Sequence, residues 1–160
     1  LRTAPLGRGR VLLGKGLACF LTTIGVATVL LTLAVLAFGV RPGSVALLAG
    51  AVVSVAVCFV GIMMLLSTIG RTEAAAGGIG WAVMIVFAMF GGGMLPLAFM
   101  PSWMAPLGSF SPVKWSILAM EGAIWRDFTP ADMLMPCAIL LAIGVAGFAI
   151  GSRLFDWNEH

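Results

Sequence analysis

One short stretch of the chain fits the first half of a phosphate-binding loop. Residues 9–15, GRVLLGK, match the pattern G-x-x-x-x-G-K, in which backbone N–H groups and the lysine hold phosphates. The next residue is Gly16, so the hydroxyl group that would bind magnesium is missing. A long apolar segment follows, and no strand precedes the match. We interpret this match as chance and expect no nucleotide to bind this chain.

Other residues that could support catalysis are scarce and badly placed. The single histidine is His160, and no H-E-x-x-H or G-x-S-x-G pattern occurs. Cys19, Cys58 and Cys137 lie in apolar runs without C-x-x-C spacing, which is typical of small buried side chains. No two carboxylates are paired within an apolar run. We therefore expect no catalytic, cofactor-binding or metal site, and an intramembrane enzyme is the least favoured class.

The composition defines the class of protein. Of the 160 residues, 61% are hydrophobic and 9% are charged, against roughly 25% charged in soluble domains. A soluble domain of this size could not bury so much apolar surface, which predicts an integral membrane protein. The net charge of +3 is small and scattered, so we expect no nucleic-acid partner.

Four segments are long and apolar enough to cross a bilayer. They cover about residues 16–40, 45–70, 75–94 and 131–152, and none contains Asp, Glu, Lys, Arg or His apart from Asp132 at the start of the last one. Thr129, Pro130 and Asp132 have the spacing of a helix start. In the second segment Ala46, Gly50, Ser54 and Cys58 recur every fourth residue, which predicts close approach of another helix.

Basic residues predict the orientation of these spans. If the chain crosses alternately, one side carries the basic loop 1–15 together with residues 71–73 and 153–160, and the other carries 41–44 and 95–130. The first side holds six Lys and Arg residues and the second holds three. Since cytoplasmic loops are enriched in basic residues, we expect both ends of the chain to lie in the cytoplasm. We expect the protein to be located in the cytoplasmic (plasma) membrane.

The segment between the third and fourth spans is apolar but broken. It starts after three glycines, Gly91 to Gly93, and helix-breaking prolines follow at positions 96, 101, 106 and 112. Apolar pieces too short to cross a membrane and interrupted by Pro and Gly are typical of re-entrant or interfacial segments. The predicted fold is therefore all-α: four transmembrane helices, with an outer re-entrant helical hairpin over residues 95–128.

Several stretches together resemble the permeases of type-2 ABC (ATP-binding cassette) exporters. The basic run from Arg2 to Lys15 resembles the cytoplasmic loop before their third helix, and Arg71-Thr72-Glu73 is similar to the next one. The stretches GGGMLP (91–96), MPSW (100–103) and SPVKW (111–115) resemble their outer re-entrant segment. The order of these elements agrees along the whole chain. The resemblance implies that the chain holds helices three to six of six, and is a fragment without the two N-terminal spans.

The resemblance also implies a partner and a set of functional residues. Such permeases form homo- or heterodimers and are driven by a separate or fused ATPase subunit, so ATP would bind the partner and no cofactor would bind this chain. We expect an outer gate or translocation path at Gly92, Gly93, Met94, Pro96 and Glu121. Coupling to the ATPase is expected at a second set in the basic loop: Arg2, Pro5, Arg8 and Arg10.

Two alternatives remain open from the sequence. Glu121 is either a polar group at the mouth of the path or an interfacial glutamate on the wet face of a short helix near Lys114, seven residues away on the same face. The whole chain is either an export permease or a membrane assembly or scaffold subunit, which would share the spans without needing a broken hairpin.

Overall fold

The computed structural model describes residues 8–70, 72–94 and 103–157. This part of the chain contains six helices and no strand: α1 (Arg8–Phe38), α2 (Val45–Ser67), α3 (Glu73–Gly91), α4 (Met104–Gly108), α5 (Pro112–Ile124) and α6 (Pro130–Trp157). Four of them are long and apolar enough to cross a membrane, over Leu13–Phe38, Val45–Ser67, Ala74–Gly91 and Pro130–Leu154. The all-α fold with four membrane spans is confirmed. The re-entrant path of the hairpin stays a prediction, because residues 95–102 lie outside the described residues.

Local sequence signals account for several helix ends. The hydroxyl of Ser44 accepts a hydrogen bond from the backbone N–H of Leu47 (3.4 Å) and caps α2. The predicted start of α6 is confirmed, since the Thr129 and Asp132 side chains each accept a hydrogen bond from the backbone N–H of the other residue (3.4 and 3.1 Å). The basic segment is helical from Arg8 onwards, so α1 starts well before the expected span.

The centre of the fold is the crossing of α2 and α6. A side-chain carbon added to Gly144 would lie only 2.5 Å from the carbonyl oxygen of Val57, and one added to Gly61 would overlap the backbone of Gly144. Gly147 and Gly151 continue this contact along α6. The two backbones therefore touch directly, as small residues permit in membrane helices.

The predicted small-residue stripe on α2 is correct in one half and wrong in the other. Ser54 and Cys58 are buried, but Ala46 and Gly50 are exposed, and nothing lies within 4 Å of a carbon added to Gly50. The crossing lies in the second half of α2, where Gly61 continues the buried face. Position along the helix, not spacing alone, determines which small residues are covered.

Helix α1 lies at the edge of the bundle. It packs chiefly against α2, and none of the residues in its most hydrophobic stretch is buried. An apolar groove of about 450 Å³ runs between α1 and α2, lined among others by Ile24, Leu31 and Val52. In contrast α2 contacts α1, α3, α5 and α6, and is the helix around which the others are arranged.

Candidate functional site

The glycine run ends the third span, as predicted. Helix α3 stops at Gly91, and Gly92 has φ +88° and ψ 7°, a left-handed conformation that favours glycine. The backbone N–H of Gly93 closes the helix end by donating to the carbonyl oxygen of Ala88 (2.9 Å). Gly93 and Met94 are exposed. The first three of the predicted gate residues, Gly92, Gly93 and Met94, thus form the turn at which the chain leaves α3. We call it the glycine turn.

The same turn is packed against the short helices that follow. A carbon added to Gly91 would lie 2.6 Å from the Ser111 hydroxyl oxygen, and one added to Gly108 would lie 2.6 Å from the carbonyl oxygen of Phe90. Ser111 is only 1% exposed, and its hydroxyl donates a hydrogen bond to the carbonyl oxygen of Phe87 at 2.6 Å. The end of α3 is therefore in close contact with α4 and the beginning of α5. We call this contact the α3–α5 junction.

Lys114 and Trp115 are both directed back to Ser109 in the turn between α4 and α5. The Lys114 ammonium donates to the Ser109 hydroxyl oxygen and the Trp115 indole N–H donates to the Ser109 carbonyl oxygen, both at 2.8 Å. The Lys114 Nζ also lies 5.8 Å from the centroid of the Trp115 ring, within the range of a cation–π contact. These contacts hold α4 and α5 in one compact unit.

Glu121 is paired with Arg126 and lies away from the glycine turn. Its Oε2 is 2.8 Å from Nη2 and accepts a hydrogen bond from Nε (2.9 Å), with the two side chains 27% and 51% exposed. Lys114, which the sequence placed on the same face as Glu121, instead donates a hydrogen bond to Ser109. Glu121 is nine residues beyond Pro112, roughly 13 Å along a helix. The structure therefore does not bring Glu121 together with Gly92, Gly93 and Met94.

The far end of α5 is fixed by the loop between α1 and α2. The backbone N–H of Gly43 donates to the carbonyl oxygen of Ala123 (3.1 Å), and a carbon added to Gly43 would lie 2.9 Å from Asp127 Oδ1. Asp127 adopts a φ of +47° in the turn that leads into α6. The end of the bundle that carries α4 and α5 thus also carries the α1–α2 loop.

The remaining predicted site residues are at, or beyond, the limits of the described chain. Arg2, Pro5 and Pro96 lie outside the described residues. Arg8 and Arg10 belong to the first turn of α1, continuous in backbone with the first span. A continuous helix therefore connects the basic segment, from Arg8 onwards, to the first membrane span.

Sequence reasoning did not find two of the contacts. The spacing does not single out Gly61 or Gly144, because Gly61 lies outside the four-residue repeat on α2 and Gly144 lies on a different helix, α6. Ser111 stands in the stretch SPVKW, which by itself predicts no role for its hydroxyl. A Ser directly before Pro at a helix start is the available signal in the sequence, since such a residue commonly caps the helix.

The described geometry defines an all-helical, multi-pass membrane protein with a glycine turn and two short helices after its third span. The family model for the ABC-2 type transporter matches residues 1–125. Because this match covers most of the chain, the chain belongs to the ABC-2 type transporter family, and the predicted resemblance is confirmed. It is a membrane permease and not itself a catalytic subunit. No curated protein and no solved structure gives a match to the chain.

Proposed function

We propose that the chain forms part of the translocation path of an ATP-driven exporter in the cytoplasmic membrane. It would act as one of two permease copies, with ATP bound and hydrolysed by a partner ATPase. The observation that carries this proposal is the family match over residues 1–125. The glycine turn and the α3–α5 junction support a specialised element beside the third span, which a simple scaffold does not need.

The distribution of charge supports an external source of energy. Ion-coupled carriers normally place ionisable groups at membrane depth. Residues 16–40, 45–70, 75–94 and 133–152 contain no Asp, Glu, Lys, Arg or His, and the phosphate-loop match at residues 9–15 lacks its hydroxyl. A partner that hydrolyses ATP would supply the energy for transport, since these spans carry no charged group to couple an ion gradient.

The direct test reconstitutes the full-length permease with and without its ATPase in proteoliposomes. A fluorescent lipophilic dye and a fluorescent phospholipid serve as transport probes, and ATPase activity is measured alongside. We expect the permease to copurify with the ATPase, to change its rate, and to move a probe only when ATP is present. A gradient-driven flux through the permease alone would refute the proposal. Normal membrane insertion with neither copurification nor transport would favour the scaffold alternative.

The proposed orientation has its own test. Single cysteines replace Ser44, Thr72 or Ser109 in a background without Cys19, Cys58 and Cys137, and intact cells are labelled with a membrane-impermeant maleimide. Labelling at Ser44→Cys and Ser109→Cys with protection at Thr72→Cys is expected, because the basic residues favour the side that carries Thr72. The opposite pattern would invert the orientation.

The basic segment provides a prediction about coupling. Replacing Arg2, Arg8 and Arg10 together by Gln should leave ATP hydrolysis running while transport falls several-fold, because the chain from Arg8 onwards continues as helix into the first span. The orientation is checked in the same variant, since these charges also help to set it. Arg153→Gln, at the far end of the chain, is the matched control and should transport normally. Equal losses in both variants would argue against a specific coupling role.

A further inference from the structure

In the described part of the chain, residues 8–70, 72–94 and 103–157, two hydrogen bonds join residues that are far apart in sequence. Both lie at the ends of α5. At its beginning, the Ser111 hydroxyl donates to the carbonyl oxygen of Phe87 in α3. At its other end, the carbonyl oxygen of Ala123 accepts from the N–H of Gly43. The other hydrogen bonds outside the helix ladders are local. Apolar packing has little directional preference, so these two bonds determine the orientation of α5 relative to its neighbours.

The Ser111 hydroxyl makes two bonds at once. It accepts from the backbone N–H of Val113 at 3.2 Å, which caps α5, and it donates to the carbonyl oxygen of Phe87 at 2.6 Å. Its side chain is almost completely buried, and Gly91 provides the space that the hydroxyl occupies. The second bond is therefore shielded from water, where a hydrogen bond is electrostatically stronger than at an exposed site.

We propose that Ser111 is a positioning residue of the translocation path, which makes the last turn of α3 and the first turn of α5 move together. This inference rests on the proposed transport function. The other contacts at the α3–α5 junction, through Gly91 and Gly108, are close but carry no bond with a preferred direction. Without the hydroxyl, α3 keeps its packing partners but loses its fixed rotation and depth relative to α5.

Ser111→Gly removes the bond to Phe87 with little effect on the helix cap, because Gly at a cap position costs only a few tenths of a kcal/mol relative to Ser. Ser44→Gly is the matched control, since Ser44 caps α2 without bonding to another helix. Ser116→Ala is a second control, because this buried serine of α5 donates within its own helix, to the carbonyl oxygen of Pro112. Neither of these two hydroxyl groups bonds to α3, so both control variants keep the bond from Ser111 to Phe87.

The test uses the full-length permease with its ATPase and has two readouts. Spin labels at Met89→Cys on α3 and Trp125→Cys beyond α5, in a background without the native cysteines, report the distance between the two helices by pulsed electron paramagnetic resonance. The second readout is the amount of probe transported per ATP hydrolysed. Ser111→Gly should broaden the distance distribution and lower transport per ATP about fivefold, the equivalent of one ordinary hydrogen bond. Both controls should leave both readouts unchanged.

The outcomes separate this inference from the proposed function. An unchanged distance distribution in Ser111→Gly overturns the positioning role, whatever happens to transport. Equal changes in Ser111→Gly and Ser44→Gly would also overturn it, because they would reduce Ser111 to a helix cap. If the unmodified pair moves no probe with ATP, the transport proposal fails, while the label distances still decide whether Ser111 holds α3 against α5.

Discussion

The α2–α6 crossing and the α3–α5 junction both depend on glycine, but in different ways. At the crossing, Gly61 and Gly144 remove side chains so that two long helices meet backbone to backbone. At the junction, Gly91 makes room for a buried hydroxyl that bonds to the neighbouring helix. The crossing offers a large surface without a directional bond. The junction offers a small surface with one directional bond, from Ser111 to Phe87.

This difference indicates a division of roles. Extensive backbone contact in a membrane supplies packing energy and tolerates no added volume. A single buried hydrogen bond contributes less to stability, about 1 kcal/mol, but fixes one geometry. We therefore expect changes at the crossing to affect whether the protein folds, and changes at the junction to affect how it transports.

The largest effect is expected from Gly61→Val. The added carbons would overlap the backbone of Gly144, which cannot move aside as a flexible side chain does. Overpacking of this kind costs about 3 kcal/mol. Folded yield in detergent and the unfolding temperature measure the loss.

Gly50→Val on the same helix is the matched control for Gly61→Val. Nothing lies within 4 Å of a carbon added to Gly50, so stability should change by about 0.5 kcal/mol or less. Equal destabilisation by the two variants would show that the α2–α6 crossing is not the centre of stability.

The second effect concerns the junction. Replacing Gly91, Gly92 and Gly93 together by Ala should abolish transport and leave membrane insertion intact. Alanine favours continued helix by about 1 kcal/mol per residue, opposes the left-handed turn at Gly92, and at Gly91 collides with Ser111. Probe transport and the membrane-inserted fraction are compared in the same preparation.

Gly77→Ala with Gly78→Ala provides the control for the triple alanine variant. Carbons added at these two α3 positions meet nothing within 4 Å, so transport should persist. Full activity in the triple variant would mean that the junction does not need its glycines, and the division of roles would fail there.

The smallest effect is expected from Glu121→Gln. An ion pair as exposed as that with Arg126 contributes about 0–1 kcal/mol, further reduced by salt. A double-mutant cycle with Arg126→Gln, measured by unfolding, should therefore give a coupling energy below about 1 kcal/mol. A large loss of transport without loss of stability would instead assign Glu121 to the path.

The sequence was sufficient for the parts of the fold that depend on local rules. Uncharged runs predicted the four spans because a bilayer core requires about 20 apolar residues in succession. Thr129 and Asp132 predicted the start of α6, and the glycine run predicted the end of α3. Each of these features is decided by residues adjacent in the chain.

Pairings between distant residues were not predictable in the same way. The contact of Gly61 with Gly144 depends on where two helices cross, and neither helix alone specifies that point. Glu121 was considered near Lys114 from helical spacing, yet its partner Arg126 lies past the end of α5, in a turn that spacing does not describe. The hydrogen bond from Ser111 to Phe87 spans 24 positions and needs the turn at Gly92 to form.

The α2–α6 crossing has a consequence for biosynthesis. Its two glycine surfaces are separated in the chain by α3, α4 and α5, so the ribosome finishes α2 long before α6 exists. At roughly 5–20 residues per second, the interval between the ends of α2 and α6 lasts about 4.5–18 s. During this time the small-residue face of α2 lacks its partner helix, α6. The central contact of the protein can therefore form only after α6 has been made, and a chain that ends before α6 leaves that face of α2 without its partner helix.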